Sequence, residues 1–148
     1  MKLKSPAFNH LAAIPAEYTC ESVDISPELY WEDVPANTKS FALLCEDPDA
    51  PKKTWVHWVV FNIPAHFKKL EKDISLVDDQ QGINDFGKVS YGGPCPPQGH
   101  GVHHYNFTLY ALDTALDLGP EATKESLLDA MKDHILDTAT LIGTYERK

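Results

Sequence analysis

The chain has 148 residues, 43% hydrophobic and 24% charged, which is ordinary usage for one globular domain and excludes disordered and fibrous classes. Thirteen basic against twenty-two acidic side chains leave a net charge of −9, and Arg147 is the only arginine. Nucleic-acid backbones and anionic membrane surfaces both require clustered positive charge, so neither is an expected partner.

The longest apolar run, Phe41 to Cys45, is far short of the ~20 residues that span a bilayer. Near the amino terminus, Lys2 and Lys4 are followed by Pro6, Asn9 and His10, which interrupt any signal-type apolar region. A cytoplasmic protein without membrane insertion is the expectation. Cys20, Cys45 and Cys95 are odd in number and lack C-x-x-C spacing. They predict neither a disulfide framework nor a cysteine zinc knuckle, and a reducing compartment fits them.

No repeat or low-complexity tract interrupts the chain, so residues 1–148 form a single expected domain. Its eleven prolines stop at Pro120, as in short strands joined by turns. Ser40 to Cys45 reads as a buried strand ended by the turn Asp47-Pro48-Asp49-Ala50-Pro51. Trp55 to Ile63 is nearly continuous in β-branched and aromatic residues, predicting a central strand covered on both faces. Residues 65 to 90 are polar, with a helical or loop tendency. A Gly/Pro loop, Tyr91 to Gly101, precedes a strand from Val102 to Leu112. After Pro120, Thr123 is an N-cap candidate, and Leu127, Leu128, Met131 and Ile135 fall on one helical face. Thr138 to Tyr145 alternates like a final strand.

Strand alternation places particular side chains together. His103, Tyr105, Phe107, Leu109 and Ala111 share one face, so His103 and Tyr105 lie at the end of a core-facing row. His57 falls in line with Trp55, Val59, Phe61 and Ile63. A histidine on such a face is often only a packed core residue. The neighbouring loops sharpen the reading. Asp47-Pro48-Asp49-Ala50-Pro51 puts two carboxylates on a proline-restricted turn just before the His57 strand. Gly92-Gly93-Pro94-Cys95-Pro96-Pro97 is a stiff loop whose glycine N–H groups can line a concavity and hold an oxyanion.

These two loops with their strands resemble the signature regions of the phosphatidylethanolamine-binding protein family. The first runs Asp47-Pro48-Asp49-Ala50-Pro51, then His57-Trp58 and Asn62-Ile63-Pro64. The second runs Tyr91-Gly92-Gly93-Pro94-Cys95-Pro96-Pro97, then Gly99, Gly101, His103, Tyr105 and the Phe107–Leu112 strand. Ser26-Pro27, Leu29, Trp31 and the Ser40–Leu44 strand add to the match. Chain length and Ile14-Pro15 are similar to the compact bacterial and archaeal branch, the relatives of YbhB, YbcL and Raf kinase inhibitor protein. The resemblance implies a mainly β fold, an antiparallel β-sandwich with a few short helices, one near the carboxy terminus. It also implies an anion pocket at one end, lined by Asp47, His57, His103 and Tyr105. Gly93, Cys95 and Pro96 then form the pocket loop, and Asp49 and Pro51 shape the first turn, with Ala50–Pro51 as the candidate for the family's cis bond. Family members hold phosphate, carboxylate or phosphorylated headgroups there; eukaryotic members act in kinase regulation, protease inhibition and flowering signals. Where the family usually carries arginine, this chain has His104, on the opposite face, so an outer ion pair is expected to be lost.

The expected function is a small-ligand binding protein whose pocket takes a phosphate, phospho-headgroup or carboxylate group, with imidazoles, a tyrosine hydroxyl and loop N–H groups as donors. A kinase- or protease-inhibitor-like interaction module is the alternative, although no surface motif names a protein partner, and a homodimer through a sandwich edge stays open. A hydrolase would pair Asp47 with His57 or His103 and use Cys95 or water as nucleophile; the chain lacks a G-x-S-x-G elbow, and no catalytic residue is assigned. A metal site would draw on His100, His103 and His104, but alternation separates His103 from His104, so neither metal nor cofactor is expected.

Overall fold

The computed structural model describes residues 1–148. Four antiparallel strands build the main sheet: Ser40–Asp47 (β3), Trp55–Pro64 (β4), His103–Leu112 (β6) and Ile135–Tyr145 (β7), in the order β4-β3-β6-β7. Lys2–Lys4 (β1), Leu29–Glu32 (β2) and Lys69–Leu70 (β5) form a smaller antiparallel sheet, in the order β1-β2-β5. The expected β-sandwich is therefore present. Sequence reading finds no strands in the small sheet, because segments of three, four and two residues are too short to display a period.

The sheets enclose one apolar core. Leu3, Leu29, Trp31 and Leu70 of the small sheet meet Phe41, Leu43, Trp58, Phe107 and Leu109 of the large one. A second cluster covers the outer face of β3 and β4, where Ala42, Leu44, Val59 and Phe61 pack under Leu127 and Met131. Those two belong to the helix Lys124–Met131 (α1). Burying two such side chains contributes roughly 2–3 kcal/mol each. Thr123 caps the helix, accepting from Ser126 N at 3.2 Å, as its sequence position predicts.

Four expectations about these elements need correction. First, α1 ends at Met131 and Asp133 adopts φ 69°, a left-handed conformation that a short polar residue tolerates and that stops a helix. Ile135 consequently opens β7, exposed, and Leu128 faces solvent. Second, β4 is an end strand of its sheet, not a central one. It reads as doubly covered because α1 lies over one face and the small sheet over the other. Its free edge is met by the following loop, through Gly82 N to Val59 O at 3.0 Å and Gly92 N to His57 O at 3.0 Å.

Third, β4 does not keep one alternation. Cys45 pairs with Trp58 but Glu46 pairs with Val56, so His57 is an extra residue in a β-bulge. A second irregularity lies between Phe41↔Ile63 and Leu43↔Val60, beside Asn62 at φ 52°. Each bulge exchanges the faces of the residues beyond it. Trp58, Val60 and Ile63 therefore enter the inter-sheet core, while Val56, Val59 and Phe61 turn toward α1.

Fourth, Cys20 and Cys95 form a disulfide, with their Cα atoms 5.4 Å apart across 75 residues of sequence. An odd cysteine count requires one thiol to remain, here buried Cys45, but says nothing against a bridge between the other two. The expectation of a reducing compartment thereby loses its basis. Such bridges form in oxidising compartments and in intracellular proteins of hyperthermophiles.

Candidate functional site

The end of β3 and the starts of β4 and β6 lie side by side, with Asp47 paired to Trp55. That antiparallel arrangement brings together residues far apart in sequence: Asp47 from β3, Trp55 and His57 from β4, His103 and Tyr105 from β6. They line a cavity of about 300 Å³, completed by Ala50 and Pro51 from the first loop, Phe86 from a turn after β4, and Cys95, Pro96 and Pro97 from the second loop. Alternation along β6 holds as expected, with His103 and Tyr105 buried and His104 exposed.

The β4 bulge has a direct consequence here. Without the extra residue, His57 could not turn into the cavity while the adjacent Trp58 also enters the core behind it. The His57 ring meets the Tyr105 ring edge-on at 5.2 Å and Phe86 at 5.4 Å. Its Nδ1 lies 2.6 Å from Gly92 O. A carbonyl only accepts, so Nδ1 carries the proton and Nε2 is the free nitrogen. Burial lowers the His57 pKa; the carbonyls of Gly92 and Gly93 and the charges of Asp47 and Asp24 oppose that shift without cancelling it. The imidazole is held neutral, with an Nε2 lone pair.

His103 is fixed at both nitrogens. Nδ1 donates to Asp47 Oδ2 at 2.6 Å, and Nε2 lies 2.7 Å from His100 Nδ1. The second Asp47 oxygen accepts from Asp49 N at 2.8 Å, so a nearly buried carboxylate is fully engaged, as burial demands. Tyr105 differs. Its hydroxyl is buried and has no hydrogen-bond partner. Burial raises its pKa far above the ordinary tyrosine value, reinforced by the charge and proximity of Asp47. The Asp47 carboxylate lies near the hydroxyl but outside hydrogen-bond geometry, so the group stays an unpaired donor. Trp55 Nε1 is likewise buried without a partner.

Two of the eight residues expected around the ligand lie outside the cavity. Asp49 faces outward, where Oδ2 accepts from His104 N at 2.8 Å and contacts His104 Nδ1 at 2.7 Å. His104 thus hydrogen-bonds Asp49 where the family usually carries arginine; burial raises the Asp49 pKa, and the His104 contacts outweigh that and lower it. Gly93 stands behind the loop. Its N–H donates to Asp24 Oδ1 at 2.8 Å, and Gly92 N is spent on His57 O. The glycine amides therefore hold the loop to the body of the protein and do not form an oxyanion nest. Gly93 is needed for close approach, since a Cβ there would fall 2.1 Å from Tyr18 O. The Ala50–Pro51 bond is trans, contrary to expectation.

Several supporting residues escape sequence reasoning. Asn84, almost fully buried, accepts from Phe86 N and Lys88 N at 2.9 and 3.0 Å and donates to Ser90 O at 2.8 Å. It ties the turn that presents Phe86; the run Asn84-Asp85-Phe86-Gly87 carries the turn chemistry that could have signalled this. The chain's one arginine is structural, with Arg147 Nε donating to Pro96 O at 2.7 Å. The second loop is thereby fastened by Arg147, by Asp24 and by the disulfide.

Comparison with known proteins agrees with this geometry. Residues 4–146 match the phosphatidylethanolamine-binding protein family. A UPF0098 protein of Methanothermobacter thermautotrophicus is 53% identical, covering 99% of each chain, and one of Pyrococcus abyssi is 46% identical over 97% of this chain and 84% of its own. A phosphatidylethanolamine-binding protein homologue of Chlamydia trachomatis superposes with a TM-score of 0.92 at 41% identity, covering 99% of this chain and 97% of that one. Escherichia coli YbcL superposes with a TM-score of 0.91 at 33% identity, covering 99% and 98%. With its sandwich, its end-on cavity and both signature loops in place, the chain belongs to the phosphatidylethanolamine-binding protein family, in its bacterial and archaeal type.

Proposed function

We propose that the protein binds a small oxyanion-bearing ligand, a phosphate or phosphorylated group, in the cavity at the starts of β4 and β6. The observation that carries this reading is the Tyr105 hydroxyl, a buried donor with no partner on the wall of a 300 Å³ cavity. A buried unsatisfied hydroxyl costs about 1–3 kcal/mol, and such a cost is characteristic of a group kept for a ligand. His57 beside it has one ring nitrogen free, while Phe86, Trp55 and the prolines supply apolar wall around them.

Hydrolysis by a thiol has no support, because Cys95 is bridged to Cys20 and carries no nucleophile. Phosphate titration followed by NMR tests the proposal. Shifts confined to His57, Tyr105, Phe86 and the 92–97 loop are the expected result. A spectrum unmoved at millimolar phosphate overturns it.

A further inference from the structure

We infer that the cavity selects oxyacids that still carry a proton, a P–OH group rather than a fully ionised or fully esterified anion. This rests on the binding role proposed above and specifies its ligand.

The donors and acceptors of the wall set this preference. His57 gives its Nδ1 proton to Gly92 O, so the free Nε2 of this cavity-lining ring is an acceptor. Both nitrogens of His103 are engaged, by Asp47 and by His100. Asp47 is a fixed carboxylate, and neither lysine nor arginine lines the cavity. Pro51, Pro96 and Pro97 supply wall without supplying an N–H. Among the buried side chains of the wall, the unpartnered donors are the Tyr105 hydroxyl and Trp55 Nε1.

An anion with acceptors alone would satisfy Tyr105 but place an oxygen against the His57 lone pair, close to a carboxylate. A ligand with one hydroxyl and several bare oxygens satisfies both sides: its O–H donates to His57 Nε2, and an ionised oxygen accepts from Tyr105. The charged and titratable groups around His57 act in both directions: the charges of Asp47 and Asp24 disfavour a fully ionised ligand but also raise the His57 pKa, and burial outweighs that second effect. Tyr105 stays protonated, His103 is turned to Asp47, and Lys53, which lies 5.7 Å over the Trp55 ring, is paired with Asp85 at 3.4 Å. Phosphomonoesters, whose second ionisation falls at about pH 6, carry the required proton below neutrality. Phosphodiesters, the form taken by intact phospholipid headgroups, do not.

The test titrates four anions into the native protein by calorimetry at about pH 6 and about pH 8. Inorganic phosphate keeps a proton at both pH values, methyl phosphate mainly at the lower one, and sulfate and dimethyl phosphate at neither. Phosphate is expected to bind at least tenfold more tightly than sulfate or dimethyl phosphate at both, since a site built around a ligand hydroxyl discriminates by about that factor or more. Methyl phosphate is expected to weaken roughly fiftyfold between the lower and higher pH, following its loss of the proton. Sulfate binding as tightly as phosphate, or strengthening in parallel with methyl phosphate on acidification, would mean an imidazolium donor and overturns the inference while leaving the anion pocket intact. No binding by any of the four overturns the pocket itself and the inference with it.

Discussion

His100 Nδ1 lies 2.7 Å from His103 Nε2, so an exposed loop histidine occupies the one nitrogen that His103 does not give to Asp47. With the His103 proton on Nδ1, Nε2 accepts and His100 donates. The chain Asp47–His103–His100 thus runs from a buried carboxylate to solvent, and its outermost member is set only by its own loop, through His100 N to Pro97 O at 3.1 Å.

His100 therefore competes with any ligand that reaches His103. Replacing it with alanine is expected to raise phosphate affinity by roughly threefold to tenfold and, because the buried His103 Nε2 loses its partner, to lower stability by about 1 kcal/mol. Calorimetric titration of the variant measures the first and a urea transition the second. Unchanged affinity would place the ligand against His57 and Tyr105 alone.

Tyr105 offers the opposite test, because stability and binding should move apart. Tyr105→Phe keeps the ring, its contact with His57 and its core position, and deletes only an unpartnered hydroxyl. The variant should be as stable as the native protein or more so, by up to about 1 kcal/mol. Phosphate affinity should fall about tenfold or more. Loss of stability together with binding would show that the hydroxyl has an unseen structural partner.

The disulfide joins the segment after β1 to the pocket loop and closes about half of the chain. In the chain-entropy account, a loop of that size is worth about 4 kcal/mol. Cys20→Ser with Cys95→Ser should lower the melting temperature by about 10 °C in this size class. Because Gly93–Asp24 and Arg147–Pro96 still hold the loop, phosphate binding should survive, weakened several-fold. Equal melting temperatures with and without a thiol reductant would argue against a formed bridge in solution.

Legibility in the sequence tracks the regularity of the backbone. β6 is legible because its period-two pattern is unbroken from His103 to Ala111, and the cavity positions of His103 and Tyr105 come directly from it. β4 is legible only in part, because two bulges exchange its faces: alternation with the neighbouring loop brings His57 to the site, while the same single register misplaces Val59 and Phe61. The disulfide and the Gly93–Asp24, Asn84–Ser90 and His100–His103 contacts are decided by three-dimensional proximity, and no local pattern encodes it. The glycine loop misleads for a related reason: glycine permits an oxyanion nest, but equally permits the close backbone approach that Gly93 makes to Tyr18 and Asp24.

His57 should also leave a mark on the pH dependence of folding. Its ordinary pKa of 6.5 is lowered in the folded protein, chiefly by burial. A histidine with a depressed folded pKa binds its proton more readily when unfolded, so its contribution to stability is fully present above about pH 6.5 and is lost as the pH falls below it. The loss levels off once the pH passes below the folded value, with a slope of at most about 1.4 kcal/mol per pH unit. The other histidines contribute their own slopes, so the informative quantity is a difference. Urea midpoints between about pH 5 and about pH 8, compared for the native protein and His57→Gln, should diverge, with the native curve falling more steeply on acidification. Bound phosphate should leave the native slope in place if the ligand brings the proton, because Nε2 then stays an acceptor. Parallel curves for the two proteins would show that His57 is not held neutral by burial, and the acceptor role assigned to its Nε2 would fall with that.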